Sequence, residues 1–281
     1  MCDAGAMADL ELITDAAAGL ERCGDLFRAD PIGCNLVAAG LNPGFEFELR
    51  RAADGADTVA AMLTTADRSI VCGDHVDSVP LLADALTIEQ PTQLFGTVSM
   101  VAAIAGQWSE RCDGTIGEEE LVRVYRLGTL DKPKKRRGQM HPTERTRLDE
   151  AAVWAFKFGN GTESPRSLEQ SIARLTPAVN EGRLIDWVAG GDVVSQLIVS
   201  PARFGVVRLG AVQTPPQFRR KGHAASLVYA IAEQQNARQK VDEVIVHTQG
   251  SNGAMNRLYR RLGFVSVGEL LSVQLTPSPR R

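Results

Sequence analysis

At 281 residues, 44% apolar and 23% charged, the chain is long enough for one large domain or two ordinary ones, and its composition is that of a globular protein rather than a fibrous or low-complexity one. No apolar run reaches the roughly 18 residues of a spanning helix, and the acidic start MCDAGAMADLELITDAA is not a secretory signal, so a cytoplasmic location with no membrane partner is expected. The net charge of −3 conceals a division: residues 1–130 hold 21 acidic and 8 basic side chains, residues 131–281 hold 13 and 23, which points to two units and to an anionic ligand on the second, or to halves that attract each other.

Residues 1–130 read as an N-terminal mixed α/β domain. FEFELRRA (45–52) looks like a strand, DTVAAMLTTA (57–66) and SVPLLADAL (78–86) look helical, and QLFGTVSMVAAIAGQW (93–108) is apolar enough for core. All five cysteines, Cys2, Cys23, Cys34, Cys72 and Cys112, fall in this half. None forms a CxxC and the count is odd, as for reduced thiols. CGDH (Cys72, His75) is too isolated for a metal site, and no metal is expected. DKPKKRRG (131–138) is a basic loop at the boundary. Without interleaved aromatic residues it gives no reason to expect a nucleic-acid partner.

From residue 139 the pattern sharpens into helix, helix, three strands, helix, strand, helix and two strands. PTERTRLDEAAVWAFKF (142–158) and SPRSLEQSIARLTPAVNEG (164–182) are helical, the second broken near Pro177. RLIDWVAG, DVVSQLIVS and RFGVVRLGAVQT are strands between turns. DEVIVHTQ is a β-branched strand, SNGAMNRLYRRLG a helix, and FVSVGELLSVQL a final strand pair. The fold class is α/β or α+β, without a regular βαβ repeat.

The segment QTPPQFRRKGHAASLV (213–228) places Arg219, Arg220, Lys221 and Gly222 at the start of a helix. A helix start carries backbone N–H groups without intrahelical partners and a partial positive charge. Three cations reinforce that field, and Gly222 removes the Cβ that would keep a ligand away. The chemistry is that of a phosphate or pyrophosphate site. The sequence contains neither GxxxxGK[ST] nor GxGxxG, so it is neither a Walker A loop nor a Rossmann site.

RRKGHA (219–224) matches the [QR]xxGx[GA] signature of the GCN5-related N-acetyltransferase (GNAT) superfamily, and SNGAMNRLYRRLGF (251–264) resembles its second motif. The resemblance covers residues 138–275. The N-terminal half resembles, more weakly, the divergent extra domain of some bacterial GNAT proteins and is read as a degenerate copy. The resemblance implies a GNAT domain over 131–281, with a central, mostly antiparallel, splayed sheet flanked by helices.

It further implies acetyl-CoA as cosubstrate and a small-molecule or peptide amine as acceptor. The pantetheine arm would pair with main-chain groups of Val212, Gln213 and Thr214 in the split beside the next strand. The pyrophosphate would rest on Arg219, Arg220, Lys221, Gly222, His223 and Ala224, with His223 as loop filling. Gly210 suggests a bulge there. On a helical wheel of ~100° per residue, Met255, Leu258 and Leu262 share an apolar arc, with Tyr259, Asn252 and Asn256 along its edge. The resemblance places both asparagines on the cofactor and makes Tyr259 the acid that protonates departing CoA. Glu150, Asp186 and His247 are candidate bases. His141 stands where the family usually has an arginine. The rival reading is a non-catalytic acyl-CoA-binding regulatory module. The N-terminal half is left to cover the acceptor side of the cleft or to form a homo-oligomer interface.

Overall fold

The computed structural model of the chain describes residues 9–43, 45–66, 68–86, 92–134, 137–158 and 167–278. Cys2, and residues 135 and 136 of the basic loop, lie outside the described residues. Two compact units emerge: Met1–Val122 together with Glu269–Arg281, and Arg123–Gly268. The division anticipated near residue 130 thus falls at 122, and the last 13 residues group with the N-terminal unit. Among the described residues no helix is long and apolar enough to cross a membrane, and no cluster of His, Cys, Asp and Glu is arranged to hold a metal.

The N-terminal series runs β1 (Asp9–Ile13), α1 (Ala16–Arg22), α2 (Gly24–Ala29), α3 (Asn35–Gly40), β2 (Glu48–Asp54), β3 (Asp57–Thr65), β4 (Arg68–Gly73), α4 (Val79–Ala85), β5 (Thr92–Thr97), α5 (Val98–Cys112) and β6 (Thr115–Leu127). The C-terminal series runs β7 (Gln139–Pro142), α6 (Leu148–Phe158), α7 (Leu168–Asn180), β8 (Leu184–Ala189), β9 (Asp192–Val199), β10 (Val206–Gln213), α8 (His223–Asn236), β11 (Glu243–Gln249), α9 (Gly253–Arg261) and β12 (Phe264–Thr276).

The two series follow one order, except that three helices follow β1 and two follow β7. Each starts with a strand antiparallel to the next and continues through helices into three strands paired antiparallel. A helix then leads to a strand parallel to the third, followed by a helix and a long closing strand. The first unit's sheet runs β1-β2-β3-β4-β5-β12-β6 and the second's β12-β6-β11-β10-β9-β8-β7. The closing strands β6 and β12 contribute to both, because the unit boundaries fall within them.

Each face of the second unit's sheet carries its own core. Val207 and Leu209 of β10 and their register partners Val244 and Val246 of β11 lie under α8 and α9 with Leu227, Val228, Ile231, Tyr259 and Leu262. On the other face Leu184 and Ile198 meet Ala151 and Ala152 of α6 and Leu175, Ala178 and Val179 of α7. In the first unit Met62, Val71 and Leu94 pack on Leu82, Met100, Val101, Ile104 and Trp108 of α4 and α5.

Three elements differ from the sequence reading. Residues 57–65 are not helical but form β3, held between β2 and β4. Both its faces are buried, so its apolar run shows no alternation, and its alanines mimic a helix. FVSVGELLSVQL is one strand, not a pair, because Gly268 sits inside β12 without breaking it. Helix α7 passes through Pro177, which lies in its last turn, where the missing N–H removes only one late bond. Strands β6 and β7 carry no signal clear enough to be read beforehand.

Candidate active site

The parallel pairing of β10 and β11 runs from Val206 opposite Glu243 to Leu209 opposite Val246 and stops there. On its other edge β10 slips register against β9, from Gly210 opposite Ile198 to Gln213 opposite Gln196. The bulge lies where Gly210 suggested one, yet the strained residue is Ala211, at φ +48°, a conformation that costs an alanine ~1–2 kcal/mol. Ser195 Oγ donates to the Gln213 carbonyl at 2.7 Å and lies 2.9 Å from Thr214 Oγ1. Gln213 therefore turns its carbonyl toward β9. The structure thus brings Val212, Gln213 and Thr214 to the end of the split.

The turn that follows carries three cations and an uncapped helix start. Arg219 is exposed, and its Nε donates to the Thr214 carbonyl at 2.9 Å and closes the loop. Lys221 stacks over the Phe218 ring, 5.7 Å from its centre. Arg220 has φ +63° and Gly222 φ +89°, and a Cβ at Gly222 would meet nothing within 4 Å. Gly222 is the N-cap of α8, without a side-chain cap and with no acidic residue in the first turn. The first helical bond is Ser226 N–H to Gly222 O. Among the described residues, the N–H groups of Arg220, Lys221, Gly222, His223, Ala224 and Ala225 make no backbone hydrogen bond. His223 is held below the usual imidazole pKa by burial and by Lys221, so it adds little charge near neutrality.

Helix α9 starts at Asn252, whose Oδ1 accepts from Met255 N–H at 3.1 Å. Asn256 is buried, and its Nδ2 donates to the carbonyls of Asn252 (2.8 Å), Gln249 (3.0 Å) and Gly250 (3.3 Å). Its Oδ1 accepts from Tyr125 Oη at 2.7 Å. Both asparagines therefore fix the corner between β11 and α9 with the side-chain atoms that the resemblance would place on a cofactor. Gly263 ends this stretch at φ +89°, where a Cβ would stand 1.7 Å from the Thr129 carbonyl.

Tyr259 is 2% exposed. Its ring lies 6.1 Å from that of Tyr125 and 5.8 Å from that of Phe264. Burial pushes its phenol pKa well above the usual value, and its hydroxyl makes no hydrogen bond among the described residues. Tyr125 was invisible to sequence reasoning: it lies 131 residues from the asparagine it bonds, on a strand with no recognisable motif. Tyr125→Phe should leave Asn256 Oδ1 unsatisfied and cost about 1–3 kcal/mol. Thermal unfolding measures this as a loss of several degrees, and an unchanged melting temperature would deny the pair its importance.

The three candidate bases are not poised alike. Asp186 is ion-paired with Arg147, which also holds Glu150 at 3.0 Å and lies over the Trp154 ring. Burial raises the Asp186 pKa against the opposing pull of Arg147. His247 follows the last residue of β11 paired with β10, its Nε2 buried and unpartnered. Burial and nearby Arg208 push its pKa down to about 3, so it is neutral at ordinary pH and a weak base. His141 is the register partner of Asp186 and is exposed.

The equivalent place in the first unit is different. Between β4 and α4 stand Asp74 and Asp77 with no lysine or arginine, and Pro80 occupies the first turn of α4. Where the parallel pair β4–β5 ends, Thr97 Oγ1 donates to the Gly73 carbonyl at 3.1 Å and bridges the two strands.

Residues 194–281 match the family described as FR47-like protein, which is related to GNAT acetyltransferases. No curated protein sequence matches the chain. Among solved structures, it is similar to a Drosophila protein at TM-score 0.70 and 13% identity, covering 96% of this chain and 99% of that one. It is similar to a tandem GNAT protein from the clavulanic acid biosynthesis pathway at TM-score 0.56 and 13% identity, covering 97% and 100%. A GCN5-related N-acetyltransferase from Sphaerobacter thermophilus matches at TM-score 0.56 and 18% identity, covering 95% of each chain. The likeness is one of fold: a mostly antiparallel sheet flanked by helices, the GNAT fold that the two motifs implied.

Proposed function

We propose that the Arg123–Gly268 unit binds acetyl-CoA and transfers its acetyl group to a primary amine. The observation that carries this reading is the turn at Gly222, where six backbone N–H groups and three exposed cations, Arg219, Arg220 and Lys221, stand at the end of a split sheet. An open helix start with cations beside it suits a pyrophosphate. The split beside Val212 suits an extended arm that pairs with strand backbone.

The amine attacks the thioester carbonyl and forms a C–N bond. The backbone N–H near Val212 supports the negative charge that develops on oxygen. The C–S bond then breaks and the sulfur takes a proton from Tyr259, which keeps its own proton because burial disfavours the phenolate. Solvent returns that proton, and the nitrogen gives its surplus proton to water, because His247 is too weak a base and Asp186 is engaged by Arg147. The first unit repeats the fold but not the site: its acidic turn repels phosphate and its strands are bridged.

The weakness of the base candidates also supports a second reading, an acyl-CoA-binding regulatory module without turnover. Release of free thiol from acetyl-CoA over a broad amine panel separates the two. Acetyl transfer requires amine-dependent release, and Tyr259 as the acid requires that release to fall steeply in Tyr259→Phe. Bound CoA with no release for any amine would leave the regulatory module.

A further inference from the structure

Beside the last turn of α9 lies an open groove of about 430 Å³. Arg123 and Tyr125 of β6, Arg260 of α9, and Phe264, Val265 and Ser266 of β12 line it, all within the Arg123–Gly268 unit. Its volume is that of a small-molecule site. Among the described residues its lining holds two guanidinium groups, two hydroxyls and apolar surface, and no acidic side chain. None of the six belongs to the Gly222 turn or to the split beside Val212.

Arg260 is exposed yet anchored. Its Nε donates to Tyr125 Oη at 3.4 Å, and that hydroxyl is fixed in turn by its 2.7 Å bond to buried Asn256. Among the described residues the two Nη groups of Arg260 find no partner. A guanidinium held at Nε presents Nη1 and Nη2 as a fork that matches the two oxygens of a carboxylate. The side-chain freedom whose loss weakens most exposed ion pairs is already reduced by the Tyr125 contact. The fork stands at the C-terminal turn of α9, whose partial negative charge favours one negative charge on a ligand over the two of a phosphate. Phe264 and Val265, the latter 47% exposed, offer apolar surface to the ligand's body. Arg261 shares the last turn and the charge but not the groove.

We propose that this groove binds an aromatic monocarboxylate, its carboxylate on the Arg260 fork and its ring against Phe264 and Val265. The site depends on neither the acetyl-transfer reading nor the Gly222 turn. Calorimetry on the full chain without CoA tests it with 2-naphthoate and 2-naphthalenemethanol, which share a ring system and differ in charge. Naphthoate should bind with a Kd below about 1 mM, and at least about ten-fold more tightly than the alcohol. Arg260→Gln should abolish that preference. Arg261→Gln removes the same charge outside the groove, where it is screened, and should preserve the preference within about two-fold. Ser266→Glu places a like charge in the groove while keeping the Arg260 anchor, and should weaken naphthoate at least about ten-fold. Gly222→Asp should leave naphthoate binding unchanged. Equal binding of acid and alcohol, or no binding at millimolar naphthoate, would overturn the site. So would a preference that survives Arg260→Gln and Ser266→Glu, or one that Arg261→Gln reduces as much as Arg260→Gln. Loss of naphthoate binding in Gly222→Asp would overturn it too, by assigning the anion to the turn before α8.

Discussion

Gly222→Asp is expected to weaken CoA binding by at least about 100-fold, ~2.7 kcal/mol, while leaving the protein folded. The two effects separate because of the local geometry. Gly222 has φ +89°, a region that aspartate tolerates better than most residues. A Cβ there meets no atom within 4 Å, so the cost to the fold is backbone strain of about 1 kcal/mol, a few degrees in melting temperature. The new carboxylate, however, stands at the N-cap of α8, where the pyrophosphate is to lie. Two like charges ~4 Å apart near a protein surface repel by ~4 kcal/mol, more than the expected loss requires. Gly222→Ala supplies the strain without the charge and should retain most of the affinity. A CoA affinity for Gly222→Asp within about three-fold of the parent would remove the turn from the site.

Tyr259→Phe should lower kcat by about 10²–10⁴-fold, the usual range for a lost general acid, and leave CoA affinity within about two-fold. The hydroxyl has no hydrogen-bond partner among the described residues, so its removal should change stability by no more than about 1 kcal/mol. Lost turnover with retained stability marks a group kept for chemistry rather than for packing. Because the phenol pKa lies above its ordinary value, the parent should show no alkaline loss of rate from this group below about pH 10. Full turnover in Tyr259→Phe would exclude it as the acid.

What could be read beforehand follows physical range. The turn at Gly222 and helix α9 are local: their residues lie within a few positions of each other, and capping and periodicity reveal them. The bulge was legible as a glycine in a strand, although the strain falls on the neighbouring Ala211. The interiors of α9 and β10 were not legible in the same way. Asn252 and Asn256 looked like ligand contacts because they share a helix edge with Tyr259, yet Asn256 bonds Tyr125 of a distant strand. Nothing in a short window announces a partner 131 residues away. Gln196 and Ser195 stand out in DVVSQLIVS only as polar residues amid apolar ones, and the register that aligns Asp186, Gln196 and Gln213 is a property of the assembled sheet. The repeated series of elements was hidden more deeply. The first copy kept the order of helices and strands while its turn became acidic and its alanine-rich β3 took on the look of a helix.

Calorimetric titration of acetyl-CoA into the full-length protein is the most direct test of the central claim. One site per chain is predicted, since the first unit's turn carries Asp74 and Asp77, with an affinity that falls as salt rises and is lost in Gly222→Asp. No binding at millimolar acetyl-CoA, or binding that Gly222→Asp leaves intact, would contradict it.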